Sequence, residues 1–350
     1  MSHSSGMPVR RDMIIECPRW TRPAIAGPGG TFEAVVPAEY GWPTEAFLLD
    51  ATGKRLACPG PTRTGRHNAF LHLDLTAPTD LAPGLYDLLL RLRPGVEVHE
   101  PHCVWAPGHE RKTFTFAHIS DLHIMSPDKV RPRDQADRMR RLMQHLRNEV
   151  RPEFILNTGD IISRYGSGGA PLPPADMRRQ MRDARAILLT TRIPHFLTPG
   201  NHDIAFPSIE SEWHRCMGGF WVDGRNDYAF TYRGCRFIAL DRSLGYDERH
   251  RIIERGIAPG QRTWLTTELE ASHTAMRTFL FCHYDYGNDL LPALATHAID
   301  RVLYGHSDTS CVPAELQDHD AQLLSRYAYQ TITVTATGIR RDPGWAWDDL

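Results

Sequence analysis

The feature that most restricts the possible folds is a pattern after residue 112, in which short apolar runs alternate with segments of helical periodicity. Residues 113–119 and 154–157 have the length and composition of buried strands. Further strands are predicted at residues 195–198, 228–232, 235–240, 278–282, 301–304 and 329–336. This pattern predicts a layered α/β domain with some antiparallel pairing, in which helices flank the sheets.

Helices are predicted between these strands from the spacing of apolar residues. Met139, Leu142, Met143 and Leu146 recur at helical intervals, and a second helix over 175–189 starts after consecutive prolines. A third is predicted over 261–271. By contrast, residues 235–240 follow 228–232 across Arg233-Gly234 and are expected to form a hairpin with them.

Polar residues follow five of the predicted strands. We call the residues directly after a strand its exit, and the five exits are Asp121 and His123, Gly159-Asp160, Gly200-Asn201-His202-Asp203, His283, and Gly305-His306-Ser307-Asp308. One such residue after a strand most often caps a turn. Five exits in succession are poorly explained as independent turns, so we predict that they gather on one rim of a sheet and form one site.

The types of side chain in these exits indicate metal chemistry. Carboxylate, imidazole and amide ligands together suit two hard or borderline divalent cations better than a structural zinc site, which favours thiolates. A carboxylate can bridge two such ions, about 3.5–4 Å apart. A pair of ions of this kind activates solvent as a nucleophile and neutralises substrate oxygens, which suits phosphoryl chemistry.

The order of these motifs resembles the calcineurin-like metallophosphoesterase superfamily over roughly residues 113–340. The resemblance implies two transition-metal ions, with Mn, Fe or Zn as candidates. It implies that Asp121 and His123 bind the first ion and that Asp160 bridges both. The remaining implied ligands, which complete the second position, are Asn201, His283 and His306.

The same resemblance implies roles for three further residues. His202 would contact the phosphoryl group and act as general acid or electrostatic stabiliser. Asp203 would orient His202, with helix capping as the alternative. Asp308 stands where the family pattern has a second histidine. It would bind the first ion directly, hold it through a water, or only cap the loop.

The segment before residue 107 has a different character. Short alternating runs separated by Pro- and Gly-rich turns predict a small all-β sandwich of the immunoglobulin or fibronectin type over 13–106. Residues 104–111 are expected to be a linker, and 112–350 the metallophosphoesterase domain. This layout is similar to that of purple acid phosphatases. The tyrosine ligand of those enzymes is not evident after Asp160, and Gly200-Asn201-His202-Asp203 looks closer to bacterial class III phosphodiesterases.

Composition limits the partners and the compartment. The chain is 41% hydrophobic and 23% charged, with a formal net charge of −2, so nothing in its bulk charge favours nucleic acid or anionic membranes. It has no apolar run of signal-peptide or membrane-spanning length, and we expect a soluble, cytoplasmic chain. Seven scattered cysteines without C-x-x-C spacing are expected to be reduced thiols.

Several residues near the motifs allow two interpretations. Tyr284, Asp285 and Tyr286 could form an aromatic wall for a substrate or belong to the core. Trp213 and His214 could shape the pocket or simply pack, and a structural role is expected for Asp241. The Gly-rich loop at 164–170 lacks a following Lys-Ser or Lys-Thr, which excludes a P-loop and suggests a mobile loop beside the site.

The expected function is metal-dependent hydrolysis of a small phosphoester, either a monoester or a diester, by hydroxide activated between two metal ions. The alternative is a chain that keeps the fold and a metal but performs Lewis-acid chemistry on another substrate or only binds it. Hydrolysis of a panel of phosphoesters by metal-reconstituted protein separates the two.

Overall fold

The structure, a computed structural model, describes most of the chain. The described residues are 15–93, 96–108, 113–124, 132–165, 170–204, 207–218, 226–241, 257–284, 287–306, 312–319 and 329–342. They divide into two compact units. The β-rich unit holds the described part of Met1–Glu110, with Pro194–Phe196 and the described part of Met217–Gly224; the α/β unit holds the rest. The domain boundaries 13–106 and 112–350 stay a prediction.

The β-rich unit is built from two sheets. Its strands are β1 (Ala24–Ile25), β2 (Thr31–Pro37), β3 (Glu45–Leu49), β4 (Arg55–Ala57), β5 (Thr62–His67), β6 (Phe70–Thr76), β7 (Gly84–Arg93) and β8 (Val96–Ala106). One sheet has the order β1-β8-β7-β3-β4 and the other β2-β6-β5. Alternate residues of β2 and β6, such as Ala34 and Leu73, share one hydrophobic cluster with Leu48 and Leu88 of the larger sheet.

The prediction of a linker over residues 104–111 is wrong for its first three residues. Val104, Trp105 and Ala106 are the last residues of β8, where they pair with β7. All three are buried. Pro107 and Gly108 end the strand because proline lacks the N–H that the ladder needs. These two residues mark where the strand ends, but they do not show that residues 104–106 belong to it.

The α/β unit alternates strands and helices after residue 113. The strands that lie in it wholly or, for β11, in part are β9 (Phe114–Ile119), β10 (Ile155–Asn157), β11 (His195–Leu197), β12 (Tyr228–Tyr232), β13 (Cys235–Leu240), β14 (Arg277–Cys282), β15 (Arg301–Tyr304), β16 (Gln317–His319), β17 (Tyr329–Val334) and β18 (Ile339–Asp342). Its helices are α1 (Pro132–His145), α2 (Pro174–Leu188), α3 (Pro207–Met217), α4 (Pro259–Ala271) and α5 (Leu291–Thr296). This is the mixed α/β architecture that the sequence predicts.

These elements follow from local sequence. Helix α2 has proline in its first turn and buries Met177, Met181, Ala184 and Leu188, which lie on one face of a helix. Strand β13 is almost wholly buried and apolar, as expected for a strand covered on both faces. The predicted hairpin of β12 and β13 is present, and Arg233 at its turn has a left-handed backbone.

Two separate five-stranded sheets carry the strand exits. One has the order β11-β10-β9-β17-β18 and the other β12-β13-β14-β15-β16. Aromatic rings join them: Phe116 stacks on Phe154 at 5.0 Å and meets Phe237 edge-on at 5.6 Å, while Phe237 stacks on Phe279 at 4.8 Å. The expectation of one rim of a single sheet is therefore wrong, because β14 and β15 belong to the second sheet.

Among the helices that the structure describes, none has both the length and the apolar character needed to cross a bilayer. The cysteines of the described residues are free thiols. Asp285, Tyr286 and Asp308, which the sequence singled out, lie outside the described residues.

Candidate metal centre

Strand exits of both sheets bring the predicted site residues together. Asp121 and His123 follow β9, Asp160 follows β10, Asn201, His202 and Asp203 follow β11, His283 follows β14, and His306 follows β15. Residues Asp121, His123, Asp160 and His306 have positive φ angles between 40° and 63°. They are four of the nine non-glycine residues with positive φ in the described chain. Left-handed backbone of this kind costs about 1–2 kcal/mol per residue and concentrates at functional sites.

Asp160 lies at the middle of the cluster. Its Oδ2 atom is 3.4 Å from Nε2 of His283, 3.6 Å from Nε2 of His123 and 3.8 Å from Nε2 of His202. Its Oδ1 atom accepts a hydrogen bond of 2.8 Å from the backbone N–H of His202. One carboxylate oxygen is thus anchored by the backbone, while the other faces three imidazoles. We call this set of side chains, with Asp121, Asn201 and His306, the Asp160 cluster.

Two groups of potential ligand atoms share Asp160. The first consists of Asp160 with His123 and His202, and the second of Asp160 with His283 and His306; within each group the atoms lie within 4.8 Å of one another. Asp121 Oδ1 is 3.5 Å from His123 Nε2, and Asn201 Oδ1 lies 3.1 Å from His283 Nε2. The structure therefore brings together each predicted ligand that it describes.

Glycines allow the loops to approach one another this closely. A Cβ atom added at Gly200 would lie 2.8 Å from Cγ of Asp160, and nearer still to its carboxylate and amide. A Cβ at Gly305 would collide with the side chains of Ser120 and Asp121, and Gly159 has the same relation to the Gly200 backbone. These positions need glycine because another backbone or a ligand-type carboxylate fills the space.

Asp121 provides a direct test of whether a cation fits. Its Oδ2 atom accepts from Ser120 Oγ at 2.6 Å and from the N–H of His306 at 3.1 Å. Its Oδ1 atom is buried and, among the described residues, has no hydrogen-bond donor. A buried carboxylate oxygen without a partner is costly, and a metal ion at this position would supply the missing partner. With imidazole and amide atoms beside it, the donor set fits Mn, Fe or Zn.

Electrostatics in the cluster are those of two carboxylates beside imidazoles. Burial opposes ionisation of Asp160, but His283 and His202 hold its pKa well below the usual range. Burial also opposes ionisation of Asp121, but nearby His123 and the charge of His283 lower its pKa. Burial would lower the pKa of His283, but Asp160 and Asp121 raise it to about 10. The cluster thus attracts positive charge.

His202 is arranged differently from the other imidazoles. Its Nδ1 atom accepts a hydrogen bond of 3.3 Å from the backbone N–H of Arg164, so a neutral ring carries its proton on Nε2. Burial lowers the pKa of His202 to about 4, against the opposing charge of Asp160. The ring of Tyr165 packs edge-on at 5.7 Å. The side chain is therefore a neutral N–H donor directed into the cluster.

Asp203 has a structural task that the sequence did not suggest. Its Oδ2 accepts from the N–H of Gly200 at 2.8 Å, and its Oδ1 accepts from those of Ile161 and Ile162 at 2.9 and 3.1 Å. Burial and nearby Asp160 raise its pKa to about 7, while these amides oppose the rise. We correct the expected role: Asp203 ties together the loops after β10 and β11, and Arg164 donates to His202.

The remaining candidates divide between the site and the core. Tyr284 packs against His306 with ring centroids 4.2 Å apart, so it borders the cluster. Trp213 is fully buried in α3, and His214 next to it is partly exposed. Asp241 accepts from the N–H of Asn226 at 3.1 Å, consistent with a structural role. Tyr165 belongs to the loop at 164–170 that the sequence placed beside the site, but its contact with the His202 ring was not predicted.

A family model described as calcineurin-like phosphoesterase matches residues 114–309, more than half of the chain. The chain belongs to this family. The match includes the strand exits that carry Asp121, Asp160, Asn201, His283 and His306. Membership in this family explains why these residues lie close together. The predicted resemblance to calcineurin-like metallophosphoesterases is confirmed.

Comparison of this chain with curated proteins found no match. TT1561 of Thermus thermophilus is a solved structure with 12% identity and a TM-score of 0.39, covering 66% of this chain and 99% of its own. Another solved chain has 9% identity and a TM-score of 0.44 with the same coverage. SGBP-B of the Bacteroides ovatus mixed-linkage glucan utilization locus has 16% identity and a TM-score of 0.20, covering 31% of this chain and 27% of its own.

Proposed function

We propose that the chain is a metal-dependent hydrolase of a small phosphoester, either a monoester or a diester. Two transition-metal ions, with Mn, Fe or Zn as candidates, would be held by the Asp160 cluster. Asp121 and His123 would bind the first ion, Asp160 would bind both, and Asn201, His283 and His306 would bind the second. When bound, such a pair neutralises phosphoryl oxygens as a Lewis acid and supplies a nucleophile at neutral pH.

One observation carries this proposal. A single carboxylate oxygen, Asp160 Oδ2, lies 3.4–3.8 Å from Nε2 atoms of three histidines that come from different strand exits. Salt bridges alone do not explain this arrangement, because Asp121 also directs an oxygen without a donor among the described residues into the same space. Two groups of ligand atoms that share one carboxylate could hold two ions close together, as two-metal phosphoryl chemistry needs.

His202 would act on the substrate. In its neutral form the Nε2–H group can donate a hydrogen bond to a phosphoryl oxygen or to the leaving oxygen and so stabilise the negative charge that develops there. The N–H of Arg164 keeps Nδ1 as an acceptor and so preserves this tautomer. Tyr165 limits the rotation of the ring by packing against it.

The protein as purified under gentle conditions, or after reconstitution with Mn, Fe or Zn, is expected to bind close to two ions per chain. It is also expected to hydrolyse at least one member of a panel of phosphomonoesters and diesters. Elemental analysis and product assays measure these two properties. Asp160→Asn is the matched control, since it keeps the size of the side chain but removes the charge that both ions would share, and it should lose ions and turnover together.

Two results would reject the proposal in different ways. Fewer than about half an equivalent of any metal after reconstitution would remove the metal centre. Two bound ions without hydrolysis of any phosphoester would favour a family member that uses the ions for another substrate or for binding alone.

We also propose that Asp308 tunes the first ion position. Asp is shorter than His and binds through a hard oxygen, so this position would favour Mn or Fe over zinc. Asp308→His is expected to raise zinc retention, and Asp308→Ala to lower occupancy of the first position while the second stays filled. Metal analysis after chelator washes measures both. Unchanged metal content, metal preference and turnover in both variants would make Asp308 a turn residue only.

A further inference from the structure

A line of fully buried polar side chains lies directly behind the Asp160 cluster. His118 and Thr158 are 0% exposed and Gln330 is 1% exposed. Gln330 Nε2 donates to His118 Nδ1 at 2.7 Å, so neutral His118 carries its proton on Nε2 and donates to Thr158 Oγ1 at 2.9 Å. We call these three side chains the buried relay.

The buried relay occupies an otherwise apolar part of the sheet. His118 of β9 faces Gln330 of β17 across the antiparallel ladder, and the next pair on the same face, Phe116 and Ile332, is apolar and buried. An apolar cross-strand pair of similar shape could replace such hydrogen-bonded partners with little or no loss of stability. A role other than packing therefore needs to be considered for them.

The buried relay ends at a residue of the cluster. The backbone carbonyl of Thr158 accepts a hydrogen bond of 2.7 Å from Nδ1 of His283. This bond leaves Nε2 of His283 facing Asp160 at 3.4 Å and Asn201 at 3.1 Å. The N–H of Thr158 donates to the carbonyl of Ile119 at 3.0 Å and holds Thr158 beside the end of β9. Thr158 is thus fixed by both its backbone and its side chain.

We propose that His118 and Gln330 are positioning residues of the metal centre: they fix Thr158, and the Thr158 carbonyl fixes the tautomer and direction of the His283 ring. The inference rests on the proposed function, since it requires His283 to bind an ion. Partners of this kind behind a ligating histidine orient the ring, and their loss typically weakens metal binding by about 10–100-fold.

The chemistry of His118 suits a fixed hydrogen-bonding unit. Burial, together with the charge of Arg341, lowers the pKa of His118 to about 3. The ring therefore stays neutral throughout the physiological range, with one nitrogen accepting and the other donating. Both ring nitrogens of His118 are engaged, and a rotation of the ring would break both hydrogen bonds inside the protein, which makes this arrangement stiff.

Conservative changes at Thr158 test the proposal. Thr158→Val keeps the shape and the carbonyl but removes the hydroxyl that His118 holds, and it is expected to weaken Co²⁺ binding by about tenfold. Thr158→Ser restores the hydroxyl and should bind within about twofold of wild type. The measurements are competition with a chelator and the visible absorption of bound Co²⁺, which reports ligand geometry without any assay of hydrolysis.

A double variant and a matched control complete the test. The change of both His118 and Gln330 to leucine replaces the polar pair by an apolar one and should weaken Co²⁺ binding as Thr158→Val does. Thr115→Val is the control, because Thr115 Oγ1 and Thr333 Oγ1 form a 2.9 Å hydrogen bond with each other between the same two strands. This variant should bind Co²⁺ like wild type.

The outcomes separate this inference from the proposed function. If wild type binds Co²⁺ and Thr158→Val and the double variant match it in affinity and absorption, the buried relay is structural only. The same conclusion follows if Thr115→Val weakens binding as much as they do. A wild-type chain that binds no ion at all would overturn the proposed function and this inference together.

Discussion

Replacement of His202 by alanine is expected to reduce turnover by about 10² to 10⁴-fold while the metal content stays near that of wild type. The reason is that its Nε2–H group is directed into the Asp160 cluster as a donor, with Nδ1 engaged by the backbone N–H of Arg164. Metal analysis and kinetics on the same reconstituted samples measure the two effects separately.

Asn201→Ala is the matched comparison, because Asn201 is the adjacent residue on the same loop. Its Oδ1 atom lies 3.1 Å from His283 Nε2, so its loss should lower metal content at the second position. The contradicting outcome is also specific. His202 Nε2 belongs to one of the two groups of potential ligand atoms, and loss of ions from His202→Ala would make it a ligand.

Replacement of Gly200 by alanine is expected to disrupt the metal centre as a whole. The added Cβ would lie 2.8 Å from Cγ of Asp160, so the loop that carries Asn201 and His202 must move away. A displacement of about 1 Å can cost about 10²-fold in rate, and metal content is expected to fall below about half of the wild-type value. Elemental analysis and turnover measure the change.

Gly338→Ala is the control for this substitution. An added Cβ at Gly338 meets nothing within 4 Å, and the residue lies between β17 and β18 of the same α/β unit. This variant should keep both ions and wild-type turnover. A Gly200→Ala protein with full metal content would show that the loop can accommodate a side chain. It would contradict the argument that the metal centre needs the close approach of Gly200 to Asp160.

Much of the α/β unit could be predicted because its signals are local. The predicted strand over 113–119 corresponds to β9 (Phe114–Ile119), and the predicted helix over 175–189 corresponds to α2 (Pro174–Leu188). Period 2 and period 3.6 are properties of consecutive residues, so one sequence suffices to detect them. Strands without such a pattern were missed. In the β-rich unit, β5 (Thr62–His67) is an example, because each of its residues is exposed and no apolar alternation marks it.

The chemical nature of the candidate site was also determined by the sequence alone. Asp121, Asp160 and His283 are identifiable because each follows an apolar strand closely, where a side chain can leave the sheet and meet others. The types of side chain then indicate that the ion bound there would be a hard or borderline cation. These inferences need residue identity and chain direction, and neither depends on which strands pair.

Tertiary structure alone decided how these groups are arranged. The strand ends belong to two sheets rather than one, and Asp203 accepts from amides of two loops. The His202 ring is oriented by the N–H of Arg164 rather than by Asp203. His118 meets Thr158 and Gln330 at separations of 40 and 212 residues. The physical reason is that strand order, register and the partners of buried polar atoms are set by contacts between distant segments, which local periodicity does not encode.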